Sequence, residues 1–375
     1  MMKNKITYGK NVYNQKEIFA VNKVLKNSTQ MGKSVQTFEK KIASHFSKKY
    51  GLMVNSGSSA LTLAFKVMNF PNSSEVITPC LNFGTAVSSI VLSNLVPMFV
   101  DCKKETLQID EDKIEKKITS KTKCLLIPNL IGNVPNWPKI KKIAKKYNLK
   151  IIEDCAQAQG AKYKNKYVGT IGDLGCFSFY PTKILGAYGD GGFIFTKKKD
   201  LHKKIRRLRF YGIETIEKKN KFYNKYYANE NGINSRIDEI QCSILNVKLN
   251  LVDKFINKRI QLAKEYFKHL AETDLILPYK NYDNKHVYHL FTVYHPKKKE
   301  VIKLLNKKNI KTRTIYPYPI QTMKAYKNLN FKKNLKNSEK KSKGIFCLPL
   351  YPEMNKKDVI KISNTIKNIL ITLKS

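Results

Sequence analysis

Lys183 lies in the run FSFYPTKILGAYGDGG, between an aromatic, strand-like stretch and a glycine-rich turn. Such a turn lets backbone come close to a ligand. A lysine held there, partly out of water, can lose its proton and attack a carbonyl. Upstream, Glu153 and Asp154 end the strand-like run KIIED, which aims an acid at the same region. An amine nucleophile and a carboxylate around one pocket suit a cofactor with a carbonyl and a basic ring nitrogen. That combination points to pyridoxal phosphate, PLP. The chain has 71 Lys and Arg residues, so this lysine gains meaning only from its context.

Other groups fit the same picture, each beside a blander reading. NSGSSAL, Asn55 to Leu61, is a strand–turn–helix junction. Gly57 allows close backbone approach, and Ser58 and Ser59 open a helix whose free N–H groups and dipole form an anion site. The same serines are also ordinary N-caps. No Gly-Lys-Ser/Thr follows, so this is not a P-loop. Asp154, facing a protonated pyridine nitrogen, would keep the ring an electron sink; otherwise it caps a helix or pairs with a cation. Gln157 is within reach of the same ligand. Phe83 follows the EVITP strand and either stacks on a flat ring or is core. Ser178, in FSF, binds phosphate if it faces the pocket and fills the strand if it does not. GDGG, Gly189 to Gly192, is no dinucleotide fingerprint. The six histidines show neither HExxH nor paired metal spacing, and no metal site is expected.

These residues need a scaffold, and the order of elements supplies one. GLMVN, EVITP, VPMFVD, KCLLIPN and KIIED read as short strands. SSALTLAFKVMNF, FGTAVSSIVLSN and NWPKIKKIAKKYN read as helices between them. This βαβα order predicts an α/β fold with a large, mostly parallel sheet covered on both faces. Ligands bind beyond the carboxyl ends of such strands, where the candidate residues fall. Residues 234–272 read as one long helical stretch. VYHLFTVYH and IKTRTIYP read as strands, KKEVIKLLNKKN and DVIKISNTIKNILITLK as helices. We expect a large domain over 1–250 and a smaller α+β domain over 251–375. The Lys/Asn-rich 327–343 is expected to be a solvated loop or helix face.

The net charge of +43 would suit nucleic acid or a membrane surface. Nearly all of it is lysine spread over helix-like segments, whereas specific phosphate and base readers favour arginine. A solvated surface is the expectation, with no nucleic-acid partner. Seven scattered cysteines without a C-x-x-C pair fit a reducing compartment. The first residues hold no apolar h-region, and no run of about 18 apolar residues could span a bilayer. A cytoplasmic protein with no membrane insertion is expected.

Taken in order, GSSAL, TPCLNF, EDCAQAQG, SFYPTKILGAYGDGG and NSRIDEIQ make the chain resemble the DegT/DnrJ/EryC1/StrS family of PLP-dependent sugar aminotransferases. The resemblance runs from GKNVYNQKEI to CLPLYPEM. It implies the aspartate-aminotransferase-like fold, fold type I. It implies that Lys183 holds PLP as a Schiff base, Asp154 pairs with the ring nitrogen and Gln157 contacts the phenolic oxygen side. Phe83 stacks on the ring; Gly57, Ser58 and Ser178 bind the phosphate. Asn234, in NSRIDEIQ, reaches the phosphate of the neighbouring subunit's cofactor, so a homodimer with shared sites is implied. The implied reaction moves an amino group from glutamate to a nucleotide-linked keto sugar, for surface polysaccharide or another glycan. Gly-Asp-Gly after Lys183 resembles members acting on 3-keto sugars more than 4-keto ones.

Two rivals are weighed. NSGSSA, LVPMFVD, LIGN (Leu130 to Asn133) and Thr312-Arg313 also resemble the PLP- or PMP-dependent sugar 3-dehydratases of the same fold. Those carry His where Lys183 stands, and His cannot form the Schiff base. The second rival is a basic, non-enzymatic binding protein. The family often shows His shortly after its Tyr-Pro motif. Gln321 stands in YPYPIQ here, which bears on the sugar pocket and not on the cofactor site.

Overall fold

The computed structural model describes residues 5–9, 14–27, 31–46, 50–214, 226–279, 284–329 and 335–374. Helices α1 (Gln15–Leu25) and α2 (Lys33–Phe46) lead into β1 (Tyr50–Val54), α3 (Gly57–Met68), β2 (Glu75–Pro79), α4 (Thr85–Val91), β3 (Val96–Val100) and β4 (Thr122–Pro128). Next come α5 (Trp137–Lys146), β5 (Lys150–Asp154), the two-residue strands β6 (Lys162–Tyr163) and β7 (Lys166–Tyr167), β8 (Leu174–Ser178) and β9 (Gly192–Thr196). Three helices follow, α6 (Lys199–Leu208), α7 (Glu239–Leu249) and α8 (Val252–Leu270). The chain ends with β10 (Asn284–Lys285), β11 (Phe291–Tyr294), α9 (Lys298–Lys307), α10 (Lys336–Gly344), β12 (Ile345–Leu348) and α11 (Lys356–Thr372).

The main sheet has seven strands in the order β1-β9-β8-β5-β4-β2-β3. β3, β2, β4, β5 and β8 run parallel, and β9 runs antiparallel to both its neighbours. Strand alternation splits the apolar residues between two faces. Leu52, Val76, Leu126, Ile152 and Ile194 pack with α3, α4 and α6. Met53, Ile77, Leu125, Ile151 and Phe193 pack with α2, α5 and α7. The near-continuous apolar run of β4 follows from burial on both faces. The loop leaving β8 emerges at the carboxyl end of the parallel strands, and because β9 runs antiparallel it begins at that same edge.

A second core holds Leu262, Tyr266, Phe291, Phe346, Ile362 and Ile366, around the β11–β12 ribbon with α8, α9 and α11. Ile6 joins this core and forms a parallel bridge with Ile310. Ile256, early in α8, lies in the sheet core, and Leu262 onward lies in the second.

Several sequence expectations change. The stretch 234–272 is two helices: Asp238 caps α7 by accepting from the Gln241 N–H at 2.8 Å, and the chain turns at Asn250–Leu251 before α8. VYHLFTVYH forms a strand only over Phe291–Tyr294. IKTRTIYP forms no strand, only isolated bridges from Ile310 to Ile6 and from Arg313 to Cys347. α10 is not wholly solvated, because Ser338 is buried and donates to Asp101 Oδ1 at 2.6 Å.

α6 is tied to the sheet by a buried ion pair. Arg209 Nη1 donates to Glu39 Oε1 at 2.6 Å and to the Met53 carbonyl at 2.7 Å, and the Met53 N–H returns a bond to Glu39 Oε1 at 2.8 Å. Removing one partner strands the other charge. Glu39→Ala should lower unfolding stability by about 3–5 kcal/mol, read as a shift of the urea midpoint. The double variant with Arg209→Met should recover much of that loss.

Candidate active site

The sheet ends its parallel strands around a cavity of about 790 Å³, which also reaches residues of the second core. Of the expected site residues, Lys183, Gly57, Ser58, Phe83, Asp154, Gln157 and Ser178 line it. Asn234 lies outside the lining; its Oδ1 accepts from Arg236 Nε at 3.3 Å.

Each residue is placed by its element. α3 begins at Gly57, and Ser56 caps it by accepting from the Ser59 N–H at 3.1 Å. The first amides of α3 thus border the cavity, with the positive end of the helix dipole behind them. Gly57 is required by close packing, since a Cβ there would stand 2.7 Å from the Ser178 Cβ. Gly192 is equally constrained, since its Cβ would meet the Ser56 carbonyl at 2.2 Å. Ser58 Oγ accepts from Thr85 Oγ1 at 2.7 Å, and Ser178 Oγ accepts from the Tyr180 N–H at 3.3 Å. Phe83 is 58 % exposed, and its ring centroid lies 6.1 Å from that of Tyr316.

The loop carrying Lys183 is pinned from behind. The Lys183 N–H donates to the Tyr180 carbonyl at 2.9 Å. The buried Gln159 side chain bridges the loop: Nε2 donates to the Ser178 carbonyl at 2.8 Å, and Oε1 accepts from the Leu185 N–H at 2.7 Å. Lys248 Nζ donates to the Gly186 carbonyl at 2.8 Å. Sequence reasoning missed Gln159 and Lys248, although Gln159 stands in the same EDCAQAQG motif.

Burial pushes the Lys183 pKa down from 10.5 to about 8. The Asp154 carboxylate pulls it back up, and Arg313 pushes it further down. Burial raises the Asp154 pKa, against the Ala156 N–H, the positive charge of Lys183 and the Asn82 side chain. Its neighbour Glu153 is wholly structural: it accepts from the N–H groups of Gly169, Ile171 and Gly172 at 2.7 Å each. Strand alternation therefore sends Glu153 and Asp154 to different tasks.

Gln157 lines the cavity and is also held by protein groups. Its Oε1 accepts from the Ile131 N–H at 2.7 Å, and its Nε2 donates to the Tyr316 hydroxyl. Both ends of the amide thus make a hydrogen bond within the protein. Tyr316, Tyr8, Arg259, His289 and Arg313 also line the cavity. Sequence reasoning gave none of them a site role. A signal existed for His289 and Tyr316, in the alternation of VYHLF and TRTIYP.

The residues fit PLP. The cavity is large enough, one amine in it is readily deprotonated, a buried carboxylate shares it, and the first amides of α3, at Gly57 and Ser58, border it.

In cofactor-free protein, the reactivity of Lys183 towards trinitrobenzenesulfonate, read by peptide mapping, should rise with pH to a midpoint near the pKa of about 8. Asp154→Asn removes the charge that favours the ammonium, so its midpoint should fall lower still. An unshifted midpoint in that variant would contradict the coupling.

The chain matches the DegT/DnrJ/EryC1/StrS aminotransferase family over residues 12–367. It is 37 % identical over 358 residues to a dTDP-3-amino-3,6-dideoxy-alpha-D-galactopyranose transaminase of Aneurinibacillus thermoaerophilus, covering 95 % of this chain and 96 % of the relative. It is 36 % identical over 328 residues to a pleiotropic regulatory protein of Geobacillus stearothermophilus, covering 86 % of each. Its fold is similar to that of S. venezuelae DesV, solved in complex with a ketimine intermediate, with a TM-score of 0.92, 28 % identity and 98 % of each chain covered. The chain belongs to the DegT/DnrJ/EryC1/StrS aminotransferase family, as a PLP-dependent enzyme of fold type I.

Proposed function

We propose that this enzyme moves the amino group of glutamate to the C3 keto carbon of a nucleotide-linked sugar, in the cytoplasm, for assembly of a surface polysaccharide or another glycan. The observation that carries the reading is Lys183, a readily deprotonated amine sharing a cavity with the buried carboxylate of Asp154. The Gly-Asp-Gly turn and the 3-amino sugar named for the A. thermoaerophilus relative support C3. The seven cysteines are free and buried, in keeping with a reducing compartment. No helix among the described residues is long and apolar enough to cross a membrane.

When bound, PLP supplies a carbonyl that takes up the amino group and a ring that withdraws electrons from the carbon losing a proton. The protein's groups do the rest. The α3 amides at Gly57 and Ser58, with Ser178, hold the phosphate. Phe83 covers one ring face. Asp154 stabilises a positive charge at the ring nitrogen, since a buried carboxylate gains most from a nearby cation. Lys183 Nζ, once freed by the incoming amine, takes a proton from the donor carbon and later returns one to the sugar carbon. Its lowered pKa suits both directions near neutral pH.

Asn234 lies away from its own chain's cavity, which fits a role at the cofactor phosphate of a second subunit. The enzyme then works as a homodimer with shared sites.

Reconstituted enzyme should be yellow, and Lys183→Ala should lose the visible absorbance that wild type shows. Glutamate should bleach the wild-type colour and yield 2-oxoglutarate. Mass spectrometry of products from a panel of nucleotide-linked 3-keto and 4-keto sugars should give the aminated 3-keto sugar. Amination of 4-keto sugars alone would contradict the C3 assignment, and a colourless protein that takes up no PLP would contradict the whole reading.

A further inference from the structure

Two segments far apart in the chain, NSRIDEIQ and the glycine turn after Lys183, meet along α7. Gln241, the last residue of NSRIDEIQ, accepts from the Tyr188 N–H through its Oε1 at 3.0 Å. A Cβ on Gly189 would stand 3.2 Å from Gln241 Nε2, and one on Gly191 would stand 3.2 Å from Ile237 Cδ1. Both glycines therefore lie directly against this segment. Lys248 is about two turns further along α7 and so on the same face as Gln241. Its Nζ donates to the Gly186 carbonyl at 2.8 Å and stands 4.7 Å from the centre of the Tyr188 ring. The outgoing limb of the lysine loop is held by Gln159. The return limb, 186–191, rests on α7 and the residues just before it.

The start of α7 is itself fixed, and part of what fixes it is the turn that opens α3. Asp238 accepts from the Gln241 N–H at 2.8 Å. The buried Glu239 accepts from the N–H groups of Gly32 at 2.7 Å, Ser34 at 2.8 Å and Val35 at 2.9 Å. Ser235 is buried, and its carbonyl accepts from the Asn55 N–H at 2.8 Å. Asn55 directly precedes Ser56, whose side chain caps α3 ahead of Gly57. The segment 235–241 thus bonds both to the α3 turn and to the lysine loop. Strand pairing ties Val54 to Gly192 at the far end of that loop. Gln241 ties the middle of its return limb.

We infer that Gln241 is a positioning residue for Lys183, holding the return limb of its loop in register with the α3 turn. This rests on the transaminase reading above. The aromatic ring of PLP keeps its phosphate and its carbonyl at a fixed separation. Gly57 and Lys183 come from distant parts of the chain, so the matching separation in the protein depends on what fastens them together. A return limb without its tie would let the lysine amine drift from the carbonyl and towards water. A misplacement of about 1 Å is enough to slow a reaction strongly. The group to be satisfied is the Tyr188 N–H, so the position requires an acceptor. A carboxylate serves there as an amide does, and a leucine of similar bulk cannot.

Trinitrobenzenesulfonate labelling of Lys183 in the full-length, cofactor-free protein tests the inference without reading enzyme activity. Wild type should titrate to a midpoint near the pKa of about 8. Gln241→Leu loosens the loop and hydrates the amine, which favours the ammonium. Its midpoint should therefore rise by about half to one pH unit, the worth of one hydrogen bond. Gln241→Glu keeps the acceptor and should restore the wild-type midpoint. In loaded enzyme, Gln241→Leu should lower kcat by roughly twofold to tenfold and leave both KM values unchanged. A residue that only stabilises the fold would lower the urea midpoint and leave the Lys183 midpoint unmoved; that result would overturn the assignment. So would a shift as large in Gln241→Glu as in Gln241→Leu, or a loss confined to KM. If Gln241→Leu does not fold, amide hydrogen exchange of wild type decides. Exchange at Tyr188 as slow as at Ala187, whose N–H donates to the Phe179 carbonyl at 2.7 Å, supports the tie; exchange at the rate of an open loop overturns it. Failure of wild type to take up PLP would sink the transaminase reading, while labelling of the cofactor-free protein reports on Gln241 alone.

Discussion

Taking the amine of Lys183 out of water is what the rest of the site depends on. Dehydration penalises the charged form and brings the pKa down from 10.5 to about 8. Unopposed burial would leave a neutral amine that could not hold a proton in transit. Asp154 supplies the opposing field, and its own burial makes that field strong for lack of screening water. The Lys183 amine is thus balanced between charged and neutral forms close to physiological pH, where a group that must both give and take a proton works best.

The fold makes that balance possible by bringing distant segments to one edge. Asp154 arrives at the end of β5, Ser178 at the end of β8 and Gly57 just after β1, all at the carboxyl ends of parallel strands. The one reversed strand, β9, returns the Lys183 loop to that same edge. Bonds from Gln159 and Lys248 then fix the loop from below, so the lysine backbone does not wander while its side chain changes partners. Such support from behind is what keeps a reacting group within a fraction of an ångström of its working geometry. The N-terminal segment and the second core close the cavity with Tyr8, Arg259, His289 and Arg313. The sheet side thus carries the groups proposed to hold the cofactor, and the other side closes the cavity over them.

Much of the sheet side was legible from sequence because its signals are local. A short strand-like run, KIIED, ending in Asp154, a glycine turn after Lys183 and a serine-capped helix at Gly57 each declare their geometry within a few residues. The substrate side was not legible, since its meaning comes from long-range contacts. Arg313 read as part of a strand, yet it has one bridge, to Cys347, and lies in the cavity lining. Gln157 was read towards the cofactor, and its further bonds to the Ile131 N–H and the Tyr316 hydroxyl were not foreseen. No local pattern announces a residue 159 positions away in the chain as its partner. The helix break at Asn250–Leu251 was missed for another reason: both flanking segments share helical periodicity, and no Gly or Pro marks the turn.

With 71 Lys and Arg residues in the chain, the central claim is one of selectivity: burial and Asp154 single out Lys183 as the cofactor's lysine. Borohydride reduction of PLP-loaded protein, followed by peptide mass spectrometry, tests it most directly. The account predicts a pyridoxyl group on the peptide containing Lys183, at one group per chain. Label spread over surface lysines, or fixed on a different single lysine, would contradict it.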